Sequence, residues 1–285
     1  MRLSHGVRAG AAAAVVILTL TACSPPVDAQ DQAAAPPFPS HVHALALKPG
    51  TTDVLVASHE GVFEVSGNSL VPRGANIDLM GFAVDGNGDY LASGHPGPGV
   101  DLPDPVGLIR SADGHNWTQE SLAGESDFHA LTVTSGGIIG FDGTLRLSED
   151  GTAWTDAPTQ LTPYSLAGSP SGTLAVATTE QGPYLSEDAG KSWTQLPDAP
   201  VIMLAAVTEQ SRLVGVKPDG GVLTSTDQGT TWSEAGTLAG YPVAVTAAET
   251  ADGLQIWAMT DAGLEHSTDG GQSFTVIVEQ PAETR

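Results

Sequence analysis

The 285-residue chain contains a single cysteine, Cys23, and this scarcity excludes several classes of site. One cysteine cannot form a disulfide within the chain, and it cannot supply the thiolate ligands of a zinc finger or an iron–sulfur centre. A folded domain in this chain must therefore take its stability from its apolar core rather than from cross-links.

Basic residues are also few. Ten Lys+Arg stand against 33 Asp+Glu, which gives a formal net charge of −23 at pH 7. A surface of this charge repels the phosphate backbone, so nucleic acid is excluded as a partner. Cations are favoured instead, and the alternative is that the acidity serves only to keep a surface protein soluble.

The sequence lacks an apolar run of the about 20 residues that a membrane-spanning helix needs. The run from Ala9 to Leu20 has 12 residues and follows Arg2 and Arg8, which is typical of a secretory signal peptide. The next phrase, Leu20-Thr-Ala-Cys23, resembles the bacterial lipobox, whose cysteine becomes the new N-terminus and receives a lipid. We predict a signal peptide over 1–22, lipidation of Cys23, and an exported protein held on the outer face of the cell membrane.

The following segment, 23–40, is rich in Pro, Ala, Asp and Gln and shows no apolar periodicity. This composition predicts a disordered tether between the lipid and a folded domain. We assign the folded domain to 41–280 and a short tail to 281–285.

A repeat of about forty residues fills the predicted domain. Aromatic residues are only 5% of the chain, yet one recurs at the same place in five copies of the phrase S-x-D-x-G-x-x-W. Two copies are one residue shorter between Asp and the aromatic residue. The aromatic positions are spaced by 37, 39, 39 and 42 residues: Trp117, Trp154, Trp193, Trp232 and Phe274. Such a period is the signature of a repeat architecture.

The chemistry of the phrase predicts a hairpin turn. Ser and Asp side chains bond backbone N–H groups within turns, and Gly adopts positive φ. Short strands with alternating burial surround each copy, and six groups of four strands fit the domain. We predict an all-β fold, a single six-bladed β-propeller, with the repeated turn between the third and fourth strands of each blade that carries it. The structural aspartates are Asp113, Asp150, Asp188, Asp227 and Asp269.

The repeat resembles the Asp-box, or BNR repeat. Together with the phrases His41-Val-His-Ala-Leu-Ala-Leu, Asp78-Leu-Met-Gly-Phe82, Ser93-Gly-His-Pro96 and Asp127-Phe-His-Ala-Leu131, it is similar to bacterial surface lipoproteins that are labelled sialidase-like or glycosylhydrolase-like. The wider Asp-box set includes sialidases, sortilin-type receptors and photosystem assembly factors. The resemblance implies the propeller fold, and it does not specify a reaction.

The topology predicts where the histidines lie. We name the strands of each blade A to D from the central channel outward. The start of A and the end of B then open on one face, here called the channel mouth, with the repeated turns on the other face. In the sequence, strand A of blade 2 is predicted to begin at Met80. Eight residues with metal-ligating or polar side chains are predicted at the mouth: His41, His43, His59, Met80, His95, His129, Asp142 and Glu180.

A ligand or metal site at the mouth is the first functional hypothesis, built from His43, His59, His95 and His129. Imidazole is the commonest metal ligand, and His with Met suits copper whereas His with carboxylate suits zinc. A structural role for these histidines at strand ends is the alternative. The loop from His95 to Pro105, which carries four prolines, is predicted on the same face.

A glycoside hydrolase is the second hypothesis, and a protein-interaction scaffold is the third. A glycosidase needs two carboxylates about 5–10 Å apart, for which the sequence offers Glu60, Asp101, Asp104, Asp127, Asp142 and Glu180. Tyr164 and Tyr241, at predicted A-strand starts, could stack on a sugar or pack. Sialidases bind their substrate carboxylate through three arginines at the mouth, and no arginine of this chain is predicted there. The partners thus considered are the membrane through the anchor, a metal ion, a glycan or a surface protein.

Overall fold

The computed structural model of the protein describes residues 1–2 and 38–281. The predicted signal peptide from residue 3, Cys23 and the tether as far as residue 37 lie outside the described residues, as do residues 282–285. The described residues contain 24 β-strands and no helix. They accordingly include no helix with the length and hydropathy that a membrane span requires.

The strands form six consecutive groups of four. Blade 1 has β1 Val42–Leu47, β2 Val54–Ser58, β3 Gly61–Ser66 and β4 Ser69–Arg73; blade 2 has β5 Ile77–Val84, β6 Tyr90–Pro96, β7 Leu108–Ser111 and β8 Thr118–Ser121. Blade 3 has β9 Ala130–Thr134, β10 Gly137–Phe141, β11 Leu145–Ser148 and β12 Thr155–Asp156; blade 4 has β13 Ser165–Gly168, β14 Ala175–Thr179, β15 Gly182–Ser186 and β16 Thr194–Gln195. Blade 5 has β17 Leu204–Val207, β18 Leu213–Val216, β19 Gly221–Ser225 and β20 Ser233–Thr237; blade 6 has β21 Pro242–Thr250, β22 Gly253–Thr260, β23 Gly263–Ser267 and β24 Thr275–Glu279.

Each group forms its own four-stranded antiparallel sheet, in which the strands are hydrogen-bonded in sequence order. This confirms the prediction of an all-β, six-bladed propeller with four strands per blade. The repeated turns lie between the third and fourth strands of blades 2 to 6, as predicted. The predicted start of blade 2 was wrong: β5 begins at Ile77 rather than at Met80, and this brings Asp78 into the strand.

The five repeated turns share one hydrogen-bond pattern. In each, the Ser hydroxyl accepts a bond of 2.8–2.9 Å from the backbone N–H of the Gly, as Ser186 does from Gly190. That Gly has positive φ in every copy, for example 86° at Gly190. The Asp carboxylate accepts from backbone N–H groups further along the turn, for example from Ser192 to Asp188 at 2.8 Å. These aspartates accept hydrogen bonds from the turn itself.

An apolar cluster fills the space between every pair of neighbouring blades. The aromatic residue of each turn packs on one of them, as Trp232 does on the cluster between blades 4 and 5. No described strand is shared between the first and last blades, so the ring closes by side-chain packing, where Phe63 and Leu45 of blade 1 meet Trp257 and Met259 of blade 6. Burial of apolar surface, at roughly 25 cal/mol per Å², therefore closes the ring.

The first strands of the six blades surround a central channel with a volume of about 1000 Å³. The lining includes His43 and Met80 from blades 1 and 2, and His129 from the start of blade 3. It also includes Tyr164 and Tyr241, which precede the A strands of blades 4 and 6. The channel thus places residues from all parts of the sequence around one opening.

Candidate metal site at the channel mouth

A β-bulge aims the side chain of His43 at the mouth. In the pairing of β1 with β2, Val42 lies opposite Ser58 and Ala44 opposite Ala57, so His43 has no partner of its own. A bulge leaves one residue outside the ladder and bends the strand locally, and such bulges are frequent beside functional sites. His59 follows β2 directly, and its backbone N–H donates to the carbonyl of His41 at 3.1 Å. The two histidines therefore lie side by side at one end of blade 1.

Three donor groups meet at the junction of blades 1 and 2. His43, His59 and Asp78 each offer one ligand atom, and these atoms all lie within 4.8 Å of one another. The rings of His43 and His59 are stacked with centroids 4.8 Å apart, and Nε2 of His59 lies 3.7 Å from Oδ1 of Asp78. His41 adds a third imidazole, with its centroid 4.6 Å from that of His59. We call His43, His59 and Asp78 the metal-site triad.

Two atoms of the triad are buried without a hydrogen-bond partner: Nε2 of His43 and Oδ1 of Asp78. A buried polar atom without a partner costs about 1–3 kcal/mol, so native proteins rarely leave one unless a ligand, ion or water engages it. Burial, together with the neighbouring His59, lowers the pKa of His43 below its usual range. A lowered pKa keeps the imidazole neutral, which is the form that coordinates metal ions.

A second polar group lies next to the triad along the same rim. Asp78 is the register partner of His95 in the pairing of β5 with β6. One ring nitrogen of His95, Nδ1, lies 2.6 Å from Oδ1 of Asp104, and the other, Nε2, lies 3.2 Å from Oδ2 of Asp127. His129 Nε2 is 3.5 Å from the same Asp127 oxygen. His95 is thus held between two carboxylates rather than aimed at the triad.

The loop 97–107 that carries Asp104 is fixed to blade 2 by apolar contacts. Val106 is fully buried, and Val100 and Leu102 pack against the cluster between blades 1 and 2. The backbone N–H of Val106 donates to the carbonyl of Gly94 at 2.8 Å. Asp104 is therefore presented to His95 by an ordered loop.

The pKa of His95 is raised above its usual range, because Asp104 accepts a hydrogen bond from the His95 ring and Asp127 adds a second negative charge. We expect an NMR titration to show His95 protonated at higher pH than an unperturbed histidine, and Asp104→Asn to lower that pKa. The sign follows from linkage: the contribution of this contact to stability is present at acidic pH and is lost as pH rises through the raised pKa. Asp101→Asn in the same loop is the matched control, since Asp101 makes no hydrogen bond to His95. An unchanged His95 titration in Asp104→Asn would show that the contact is absent in solution.

The remaining predicted site residues lie around the mouth but outside the triad. Met80 lines the channel and lies two residues after Asp78 in β5. Asp142 follows β10, where it accepts a bond of 2.6 Å from Ser126 and lies 3.3 Å from Arg146 Nε. Glu180 follows β14 and is exposed. The structure therefore brings His43 and His59 together, places His95 and His129 around Asp127, and leaves Asp142 and Glu180 apart from both groups.

Asp78 is the residue that sequence reasoning missed. Its phrase was part of the family resemblance, but a strand predicted from Met80 placed it in a linker. The available signal was the pair of apolar residues on either side of Asp78. Ile77 and Leu79 are apolar and Asp78 between them is polar, which is the alternation that a half-buried strand shows. Extension of the alternation by three residues would have put this carboxylate at the mouth.

The donor set suits a divalent transition-metal ion. Imidazole nitrogen and carboxylate oxygen are ligands of Zn²⁺ at about 2.0–2.2 Å, so donors that share one ion lie within about 4 Å of each other. Movements of about 1 Å would bring the triad to that spacing. Three protein ligands would leave one position of a four-coordinate ion open.

Comparison with known proteins supports the fold and assigns no family. No family model matches the chain, and no curated protein matches it either. Among solved structures, YCF48 bound to D1 peptide is 17% identical with a TM-score of 0.53, covering 82% of this chain and 80% of that one. A chain of the nidogen/laminin complex is 13% identical with a TM-score of 0.62, and the match covers 80% of this chain and 93% of that one.

An enzyme is also among the similar structures. The GH74 xyloglucanase from Xanthomonas campestris is 14% identical with a TM-score of 0.56, over 83% of this chain. This chain covers 45% of that enzyme. Identities this low establish a shared fold and carry no activity to this chain.

Proposed function

We propose that this protein is an exported, lipid-anchored β-propeller that binds one divalent transition-metal ion, with Zn²⁺ the best match, at His43, His59 and Asp78. The observation that carries the proposal is the convergence of three donor groups whose ligand atoms lie within 4.8 Å of one another, together with one buried polar atom without a hydrogen-bond partner on each of His43 and Asp78. Copper is the alternative ion, because Cu²⁺ binds most nitrogen and oxygen sites more tightly than Zn²⁺ does.

The anchor part of the proposal rests on the sequence. The charged start, the short apolar run and the lipobox-like phrase before Cys23 are the supporting features. The described chain enters blade 1 at His41, beside the triad, and Phe38 packs against the cluster between blades 1 and 6. The tether would therefore attach on the mouth side of the propeller, and we infer that the mouth faces the membrane or a membrane-bound partner.

The repeated turns support membership of the Asp-box, sialidase-like lipoproteins as part of the same proposal. Sialidase chemistry is not part of it. No arginine occurs among the channel-lining residues of the described chain. The arginines of the described propeller pair with carboxylates instead, as Arg110 does with Asp85 at 2.6 Å and Arg212 with Glu249 at 2.7 Å.

Intact mass spectrometry of the full chain, expressed in a lipoprotein-processing bacterium and purified in detergent, tests both parts. We expect the mass of a chain that begins at Cys23 and carries acyl groups, with Cys23→Ser giving the unlipidated precursor. Under native conditions we expect one additional Zn²⁺ per chain, which a chelator removes. A chain without lipid would contradict the anchor, and a chain that takes up neither Zn²⁺ nor Cu²⁺ would contradict the metal site; the two results are independent.

A glycoside hydrolase is a second candidate, favoured by one observation. Asp104 and Asp127 contact opposite nitrogens of the His95 ring, which places two carboxylates on one rim, and glycosidases use a pair of carboxylates. Two GH74 enzymes are among the similar structures. Turnover of aryl glycosides that disappears in Asp127→Asn would establish this activity.

An interaction role is a third candidate. Two of the similar structures are complexes, one of YCF48 with D1 peptide and one of nidogen with laminin. The observation in this chain that favours such a role is the exposure of Tyr164, Val201 and Tyr241, which precede the A strands of blades 4, 5 and 6.

A further inference from the structure

Three large apolar or aromatic side chains stand exposed on the half of the mouth formed by blades 4 to 6. Tyr164 is 63% exposed, Val201 71% and Tyr241 56%. In the propeller, 38–281, the one other exposed large apolar side chain is Val71, which is less exposed at 38%. All three precede the A strands of consecutive blades, and we call them the apolar rim. Exposed apolar groups that cluster in this way mark binding surfaces.

The backbone around the apolar rim is firmly held. The N–H of Tyr164 donates to the carbonyl of Thr178 at 2.7 Å, and the Thr178 hydroxyl donates to the carbonyl of Met203 at 2.8 Å. The N–H of Tyr241 donates to the Asp261 carboxylate at 2.7 Å, while its hydroxyl lies 3.6 Å from the sulfur of Met203. Such contacts link blades 4, 5 and 6. The rim is therefore a preorganised surface, and binding would require little additional ordering.

Carboxylates surround the same opening. The turn or loop between strands B and C carries an acidic residue in every blade: Glu60, Asp104, Asp142, Glu180, Asp219 and Asp261. Two basic groups beside these carboxylates are already paired, since Arg146 lies 3.3 Å from Asp142 and Lys217 lies 3.6 Å from Asp219. The negative charge of the whole chain, −23, adds to this local field. Positive groups are therefore attracted to the mouth, and their association is accelerated.

The apolar rim and the surrounding carboxylates together indicate which kind of molecule binds at this half of the mouth. We propose that the apolar rim docks an extended polypeptide segment of a partner protein that carries both apolar and basic side chains. The apolar side chains contact Tyr164, Val201 and Tyr241, and the basic side chains face the surrounding carboxylates, of which Glu180 and Asp261 lie on the same blades as the tyrosines. A membrane surface fits less well, because anionic lipid headgroups are repelled by the carboxylates. Docking here goes beyond the proposed metal binding and does not depend on it.

The test uses the full chain in detergent, with a chelator present so that the metal site plays no part. Fluorescence anisotropy is measured with three labelled peptides of equal length: alternating Lys and Phe, alternating Glu and Phe, and alternating Lys and Ser. We expect the Lys/Phe peptide to bind at least about tenfold more tightly than either of the others, with affinity that falls as salt rises.

Variants locate the binding. The pair Tyr164→Ala and Tyr241→Ala should weaken the Lys/Phe peptide at least about tenfold, because large aromatic side chains dominate such interfaces. Glu180→Gln should weaken it and reduce its salt dependence, whereas Val71→Ser, an exposed apolar position on the outer strand β4, should leave binding unchanged. Since all these side chains are exposed, unfolding curves should coincide with that of the wild type.

Three results would overturn the proposal. One is equal binding of the Glu/Phe and Lys/Phe peptides, which would remove the role of charge. Another is unchanged binding in the double tyrosine variant. The third is tyrosine-dependent binding of anionic or neutral lipid vesicles, or of a glycan array, without binding of the Lys/Phe peptide, which would assign the rim to a different occupant.

Discussion

Replacement of His43 with Ala is expected to lower the affinity for Zn²⁺ by more than about 100-fold, because changes in the outer shell of a metal site alone cost about 10–100-fold. Nε2 of His43 is buried and has no hydrogen-bond partner. Loss of the imidazole removes one of the three proposed protein ligands. His59→Ala and Asp78→Asn should have effects of the same order. Competition with a chromophoric chelator, on the full chain in a Cys23→Ser background, measures the affinities.

Two histidines provide matched controls. His115 lies in the repeated turn of blade 2 on the opposite face, so His115→Ala should leave the affinity unchanged. His95 lies beside the triad but is engaged by Asp104 and Asp127, so His95→Ala should change the affinity by less than about tenfold. Wild-type affinity in His43→Ala would refute the triad. Equal losses in His95→Ala and His43→Ala would instead favour the single four-histidine site that the sequence suggested.

The propeller could be predicted because the turn phrase that specifies its hairpins occurs five times in the sequence. Each turn phrase specifies a hairpin through short-range hydrogen bonds, and five copies fix both the period and the position of the outer strands. Ser148 and Gly151, for example, make the same 2.8 Å bond that Ser111 and Gly114 make. Topology then placed His43 and His59 at the mouth, because strand A starts and strand B ends on one face in any blade of this kind.

The site could be predicted only in part, since its geometry depends on departures from the regular pattern. Alternation does not reveal the bulge that leaves His43 unpaired, nor the bulge between Leu79 and Gly81 that accompanies the early start of β5. Both irregularities change where a side chain points without changing which residue types are present. For that reason the sequence placed the imidazoles on one rim, but it could not tell which of them share a centre with Asp78.

The largest expected effect on stability is that of Phe128→Ala. Phe128 is fully buried between blades 2 and 3, with its ring 4.6 Å from that of Trp154. A Cβ added at Gly140 would lie 2.6 Å from the Phe128 ring, so the ring packs directly against β10 because Gly140 has no side chain. Removal of the ring leaves a cavity that this tight packing cannot fill. We expect the free energy of unfolding to fall by about 3–5 kcal/mol, measured by urea denaturation.

Tyr164→Ala is the matched control, since it removes an aromatic ring that is 63% exposed and should change the free energy of unfolding by no more than about 0.5 kcal/mol.

Phe128→Ala should also affect the channel mouth. Asp127 and His129 flank Phe128 in sequence, and the N–H of Phe128 donates to Ser93 Oγ at 2.8 Å, which ties this segment to the strand that carries His95. The raised pKa of His95 should therefore fall towards its usual value in the variant, because Asp127 loses its fixed position. A loss of stability below about 1 kcal/mol would mean that the junction between blades 2 and 3 repacks, and an unchanged His95 titration would mean that Asp127 is held by contacts other than Phe128.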